Sequence, residues 1–243
     1  MSMIQEFQRI DKYARFNGQR RETWEETVTR AVSFLRELSQ NKLSEKEYQE
    51  IYDAVYNKEV MPSMRLMAMA GDAARRSNIA VYNCSYLPID SVEAFTEVLI
   101  LSMNGCGVGY SVETDYVNQL PTVLRSNNIS RSEYLASFST LVPFKGVKDV
   151  AGVFYFDDNK ITFRIADTTE SWANAIYIAI HSSYNAIDID FDYSHIRKRG
   201  EPLKTKGGTA SGPEPLRRAI EFIKETIRNA GGRKLTTLEA HDL

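Results

Sequence analysis

Two cysteines carry the most reactive chemistry in this chain. Cys84 stands in Asn83-Cys84-Ser85-Tyr86, within a run rich in β-branched and aromatic residues, and Cys106 stands in Gly105-Cys106-Gly107-Val108-Gly109. Unpaired cysteine is among the most buried residue types, so Cys84 can be a small core side chain. It can equally be a redox thiol whose partner lies elsewhere in the fold. Cys106 is one candidate partner, although its glycine surroundings also suit a position that simply needs a small side chain. Two cysteines make no disulfide framework, and the three scattered histidines do not complete a zinc site with them. The glycines around Cys106 allow either a tight turn or close approach of backbone to a phosphate or sugar. They precede a strand pattern instead of opening a helix, so the dinucleotide fingerprint fails on context. A second run, Gly207-Gly208-Thr209-Ala210-Ser211-Gly212-Pro213, leads into a helix and follows Arg197, Lys198, Arg199, Lys204 and Lys206. Free N–H groups and hydroxyls at a helix start suit an anion. The spacing is not that of a Walker A loop, and a capped helix behind a solvated basic loop explains the pattern as well. Asp90 reads in the first place as a helix N-cap.

The elements that must position these residues follow from periodicity. Thr23-Trp24-Glu25-Glu26 and Ser44-Glu45-Lys46-Glu47 fit the capping box, in which the first and fourth residues satisfy each other's backbone N–H groups. Val28, Ala31, Val32 and Leu35 repeat at helical spacing behind the first, and Tyr48, Ile51, Tyr52 and Val55 behind the second. Residues 79–87 read as a strand ended by Pro88. Asp90 with Glu93 then opens a helix through Phe95, Val98, Leu99 and Leu101, and residues 108–112 read as a second strand. Strand, helix, strand suggests a crossover unit in an α/β fold. A short helix is expected near Ser132–Ser139. Residues 150–156 and 161–165 flank Asp157-Asp158-Asn159-Lys160 as a hairpin. A helix from Asp167, an alternating strand over residues 187–191 and a helix through Leu216, Ile220 and Ile223 complete the pattern. Thr236-Thr237-Leu238-Glu239 is a further capping box, with the chain ending about two turns later, where an isolated helix is marginal. The expectation is an element cut in the middle and a chain that is incomplete.

The 243 residues are 43% hydrophobic and 26% charged, the composition of a globular chain and not of a disordered, collagen-like or coiled-coil one. No apolar run approaches the roughly 18 to 20 residues of a membrane span. The start is charged within a few residues and lacks a signal-peptide core. A net charge of −2, from 30 basic and 32 acidic residues, argues against bulk nucleic-acid coating. A reducing cytoplasm is the expected setting.

Several motifs in order resemble one family. Met61-Pro62-Ser63-Met64-Arg65, Asn83-Cys84-Ser85-Tyr86 with Pro88-Ile89-Asp90-Ser91, and Gly105-Cys106-Gly107-Val108-Gly109-Tyr110-Ser111-Val112-Glu113 are similar to the large, catalytic subunit of ribonucleotide reductase. Phe191-Asp192-Tyr193-Ser194-His195-Ile196-Arg197, the Gly-Gly-Thr-Ala-Ser-Gly-Pro run and Ala230-Gly231-Gly232-Arg233-Lys234-Leu235-Thr236 follow in the family's order. The absence of an ATP-cone and the form of the Gly-Gly-Thr-Ala-Ser-Gly-Pro run resemble the class II, adenosylcobalamin-dependent enzymes. The resemblance implies an α/β fold, with an N-terminal helical region over 1–77 and the first half of a ten-stranded α/β barrel over 78–243.

It also implies roles. Cys84 matches the N-terminal redox cysteine, which delivers reducing equivalents to the ribose and ends in a disulfide with a cysteine of the second half of the barrel. Cys106 has no redox role in the family, so a pair with Cys84 is not what the resemblance predicts. Ser63, Asn83 and Gly107 match the substrate region, and Asp90 and Ser91 match the start of the helix that contacts a deoxynucleotide or ATP effector. Met61 replaces a hydroxyl residue common in relatives, which removes a side-chain phosphate contact. The radical cysteine, the second redox cysteine and most cobalamin contacts are expected outside these residues, in a C-terminal half joined covalently after splicing or supplied as a separate chain. The other implied partners are a ribonucleotide substrate, a thioredoxin-type reductant and a possible second copy; neither membrane nor nucleic acid is expected. Two alternatives stay open: a class I-type large subunit with a separate radical subunit, and a non-catalytic deoxynucleotide-binding or assembly module.

Overall fold

A computed structural model describes residues 3–16, 18–126, 152–157, 160–202 and 209–243. The helix expected near Ser132–Ser139 lies outside the described residues, as do Asp158, Asn159, Lys204, Lys206, Gly207 and Gly208. The chain divides into two compact units, one of Met1–Cys84 with Asn104–Cys106 and Pro202–Gly208, the other of Ser85–Met103, Gly107–Glu201 and Thr209–Leu243.

The first unit is helical. It holds α1 (Met3–Gln8), which runs on as a π-helical turn over Arg9–Tyr13, then α2 (Trp24–Leu38), α3 (Glu45–Tyr56), α4 (Met64–Met69) and α5 (Asp72–Arg76). Both expected capping boxes are formed, Thr23 with Glu26 at α2 and Ser44 with Glu47 at α3. Val28, Ala31, Val32 and Phe34 of α2 pack with Val55, Met67, Ala70 and Ala74 in one buried cluster. A polar hub fastens α4 to α2. Arg30 donates to both carboxylate oxygens of Glu22, at 2.8 and 2.9 Å, and to the carbonyls of Ala70, Tyr13 and Met67. Arg15 adds a bond from Nε to the Ala68 carbonyl.

The strand expected over residues 79–87 is shorter. Asn78–Val81 forms a 3₁₀ turn and only Cys84–Pro88 is strand β1. Within this turn Ala80 is buried and Val81 packs against the first unit's cluster. A strand also needs a partner, and β2 (Gly107–Ser111) offers five residues.

In the second unit, β1 and β2 pair, with α6 (Val92–Met103) between them in sequence. The Ile89 N–H donates to the Ser111 carbonyl at 2.9 Å, which carries the pairing past Pro88. Helix α6 therefore begins later than expected, and its flanking residue is Ser91 in place of Asp90. After α7 (Thr114–Val117), strands β3 (Val153–Asp157) and β4 (Lys160–Arg164) form the expected hairpin, antiparallel with Asp157 opposite Lys160. Helix α8 (Thr169–Tyr184) crosses over to β5 (Asp190–Asp192), which pairs parallel to β4. Helix α8 is buried on nearly all sides, with Ala173, Ala175, Ala179 and Ile180 at 0% exposure, and packs against both α6 and α9 (Glu214–Asn229). Helix α9 presents Leu216, Ile220, Ile223 and Ile227 inward, the spacing of an amphipathic helix. The final helix, α10 (Thr237–Asp242), carries the third capping box, Thr236 with Glu239. The class is α/β as expected, and among the described residues the five strands fall into two sheets, β1–β2 and β3–β4–β5.

Candidate functional site

The candidate thiol is accessible. Cys84 is exposed at the first position of β1, whereas Cys106 is 5% exposed, and neither is in a disulfide. The core-residue reading thus fits Cys106 and fails for Cys84.

Ser63 is the N-cap of α4, its hydroxyl oxygen accepting from the Leu66 N–H at 3.2 Å. That bond uses an acceptor lone pair and leaves the hydroxyl proton free to donate outward. Two residues on, Arg65 reaches across to the thiol's neighbour. Its Nε donates to Asn83 Oδ1 at 3.2 Å, and its Nη2 donates to the Gly105 carbonyl. One guanidinium therefore ties α4, the residue before Cys84 and the glycine run together, all within the first unit. Both acceptors are neutral, so neither cancels its charge. Gly105 has φ +86°, and a Cβ there would lie 2.8 Å from Arg65 Nη1, so a larger residue would be strained and would push the guanidinium aside. Sequence reading missed Arg65 as a site residue, because its partners are 18 and 40 positions away and no local pattern joins them.

Gly107 opens β2 in the second unit. Asp90 and Ser91, half-buried, precede α6. Beside them in sequence, Glu93 hydrogen-bonds Tyr177 of α8; burial, with Glu93 adding to it, pushes the Tyr177 phenol up to about 12. Burial also holds the His181 imidazole below its ordinary value, and its ring stacks on Tyr177 with centroids 5.6 Å apart. At the end of β2 an open cleft of 810 Å³ is lined by Tyr110, Glu113, Asp115, Leu238 and His241 among others, and includes none of the predicted site residues. The second glycine run offers no assembled anion site among its described residues. The Ala210 N–H is taken by the Glu201 carbonyl, and Arg197 is paired with Asp167 at 2.5 Å.

An exposed thiol at the start of a strand, with an amide residue before it and a hydroxyl residue after it, is the chemistry this site offers. Residues 142–227 match the family described as B12-dependent ribonucleotide reductase, insertion domain. The chain is 31% identical to an adenosylcobalamin-dependent ribonucleoside-triphosphate reductase of Lactobacillus helveticus, over 95% of its own length and 37% of that protein's. It is 26% identical to the Euglena gracilis enzyme of the same name, over 90% of the chain and 29% of the relative. A crystal structure of a B12-dependent, class II ribonucleotide reductase superposes with a TM-score of 0.76 at 27% identity, covering 98% of this chain and 38% of that one. The chain matches the N-terminal portion of the class II ribonucleotide reductases, spanning a little over a third of the length of the curated Lactobacillus relatives.

The insertion-domain match takes in β3, β4, α8, β5 and most of α9, a region that sequence alone groups with the barrel. No group of three or more His, Cys, Asp or Glu placed to hold a metal occurs among the described residues. No helix among them is long and apolar enough to cross a membrane.

Proposed function

We propose that this chain forms the N-terminal part of an adenosylcobalamin-dependent reductase that converts ribonucleotides, of the triphosphate kind named for its relatives, to 2′-deoxyribonucleotides. The observation that carries this reading is the exposed Cys84 thiol at the start of β1, in a chain similar over nearly its whole length to such enzymes. Replacing the ribose 2′-hydroxyl consumes two electrons. Cys84 supplies one of the two thiols that give them, and a cysteine from the remainder of the enzyme supplies the other. The cofactor, when bound, supplies the radical chemistry. Ser63 and Asn83, in the same unit as Cys84, hold the substrate near the thiol. Asp90 and Ser91, at the start of α6, contact a deoxynucleotide or ATP effector. A thioredoxin-type protein re-reduces the disulfide, which an exposed thiol permits.

The test is Cys84→Ser in the assembled enzyme, assayed with a thioredoxin-type reductant. Multiple-turnover formation of deoxynucleotide is expected to fall to background. Undiminished turnover would remove Cys84 from the reaction and favour a binding or assembly module.

A further inference from the structure

We propose that Arg65 is a positioning residue that turns the Asn83 carboxamide so that its N–H donors, and not its oxygen, face a substrate oxygen beside the Cys84 thiol. This rests on the reading of Cys84 as a redox thiol of a ribonucleotide-reducing site. Arginine carries donors only, so the atom of Asn83 that meets Arg65 Nε at 3.2 Å must be the carbonyl oxygen. With Oδ1 committed, the two N–H bonds on Nδ2 are the polar groups left to meet a ligand, and Asn83 is exposed. The guanidinium is held in place by two bonds, from Nε to Asn83 Oδ1 and from Nη2 to the Gly105 carbonyl. An amide fixed this way recognises an acceptor, such as a ribose hydroxyl or phosphate oxygen, and turns away a donor-only group. Lysine in place of Arg65 has one nitrogen on a flexible stem and cannot span both acceptors.

The experiment compares Arg65→Met, Asn83→Asp and the double variant in the assembled enzyme, with Cys84→Ser alongside. Asn83→Asp keeps an acceptor for Arg65, and so keeps the clamp, but has no N–H to offer. A lost hydrogen bond predicts that each single variant raises KM for the ribonucleotide by up to about tenfold, with a smaller change in kcat. Because both act through one amide, the double variant is expected to be no worse than the weaker single. The melting temperature of Asn83→Asp should stay at the wild-type value, which keeps the test valid if Arg65→Met fails to fold. An unchanged KM in Asn83→Asp, or effects of the two changes that add, would overturn the proposal. If that happens while Cys84→Ser is inactive, only the positioning role falls; if Cys84→Ser turns over normally, the site reading falls and takes the positioning role with it.

Discussion

Gly105 shows how much of the candidate site hangs on a missing side chain. Its φ of +86° is a conformation that a Cβ disfavours by roughly 1–2 kcal/mol, and the space that Cβ would fill is taken by Arg65. Gly105→Ala should therefore lower stability by about that amount. Because the guanidinium is the softer partner in the clash, it should also be displaced from Asn83, and the variant should reproduce the raised KM of Arg65→Met. Chemical denaturation and steady-state kinetics on the same protein check both halves. This arrangement was only partly legible in the sequence. Cys84, Asn83 and Ser63 could be singled out because motifs of a few adjacent residues carry them. The clamp that joins them could not, since it is made of bonds between segments far apart in the chain and depends on where a helix, a strand and a loop come to rest.

At the scale of elements, legibility follows the range of the forces involved. The three capping boxes were readable because each is a four-residue device complete in itself. The β3–β4 pairing was readable for the same reason, as its two strands are close neighbours in sequence. Residues 79–87 misled because β-branched residues fit a strand or a buried turn equally well, and the choice was made by a core that lies elsewhere in sequence. The insertion-domain stretch carried no local mark setting it apart from its flanks. The caps also set a measurable contribution: Thr23→Ala removes the side-chain acceptor for the Glu26 N–H, while the backbone N–H of residue 23 still donates to the Glu26 carboxylate. The first unit should lose about 1 kcal/mol, read as a lower urea midpoint with an unchanged slope.

For the molecule as a whole, the Glu22–Arg30 hub links stability to acid. Burial raises the Glu22 carboxyl, but bonds from Arg30, the Arg15 backbone N–H and Thr27 outweigh it and hold the group below its ordinary value of 4.5. A carboxylate whose folded pKa is depressed gives stability that is full above the unfolded value and lost as pH falls through the folded one. The helical unit should therefore weaken as pH drops below about 4.5, and Glu22→Gln should flatten that dependence. At neutral pH the same variant leaves a largely buried guanidinium without its counter-charge, at a cost of roughly 3 kcal/mol. Thermal melts of both proteins from pH 7 to pH 3 test the two statements together; a wild-type acid dependence retained in the variant would place the acid-sensitive group elsewhere.

The hub also constrains how this sequence can change over generations. Arg30 holds a carboxylate and three backbone carbonyls at once, and those carbonyls belong to main chain that every substitution leaves in place. Exchanging Glu22 alone strands a charge, and exchanging Arg30 alone strands a charge and three acceptors. A lineage can drift freely at the exposed α3 surface one residue at a time, but at these two positions each single step crosses a fitness valley. Positions 22 and 30 should thus be inherited as a unit, kept together or replaced together, whatever happens to the chemistry at Cys84.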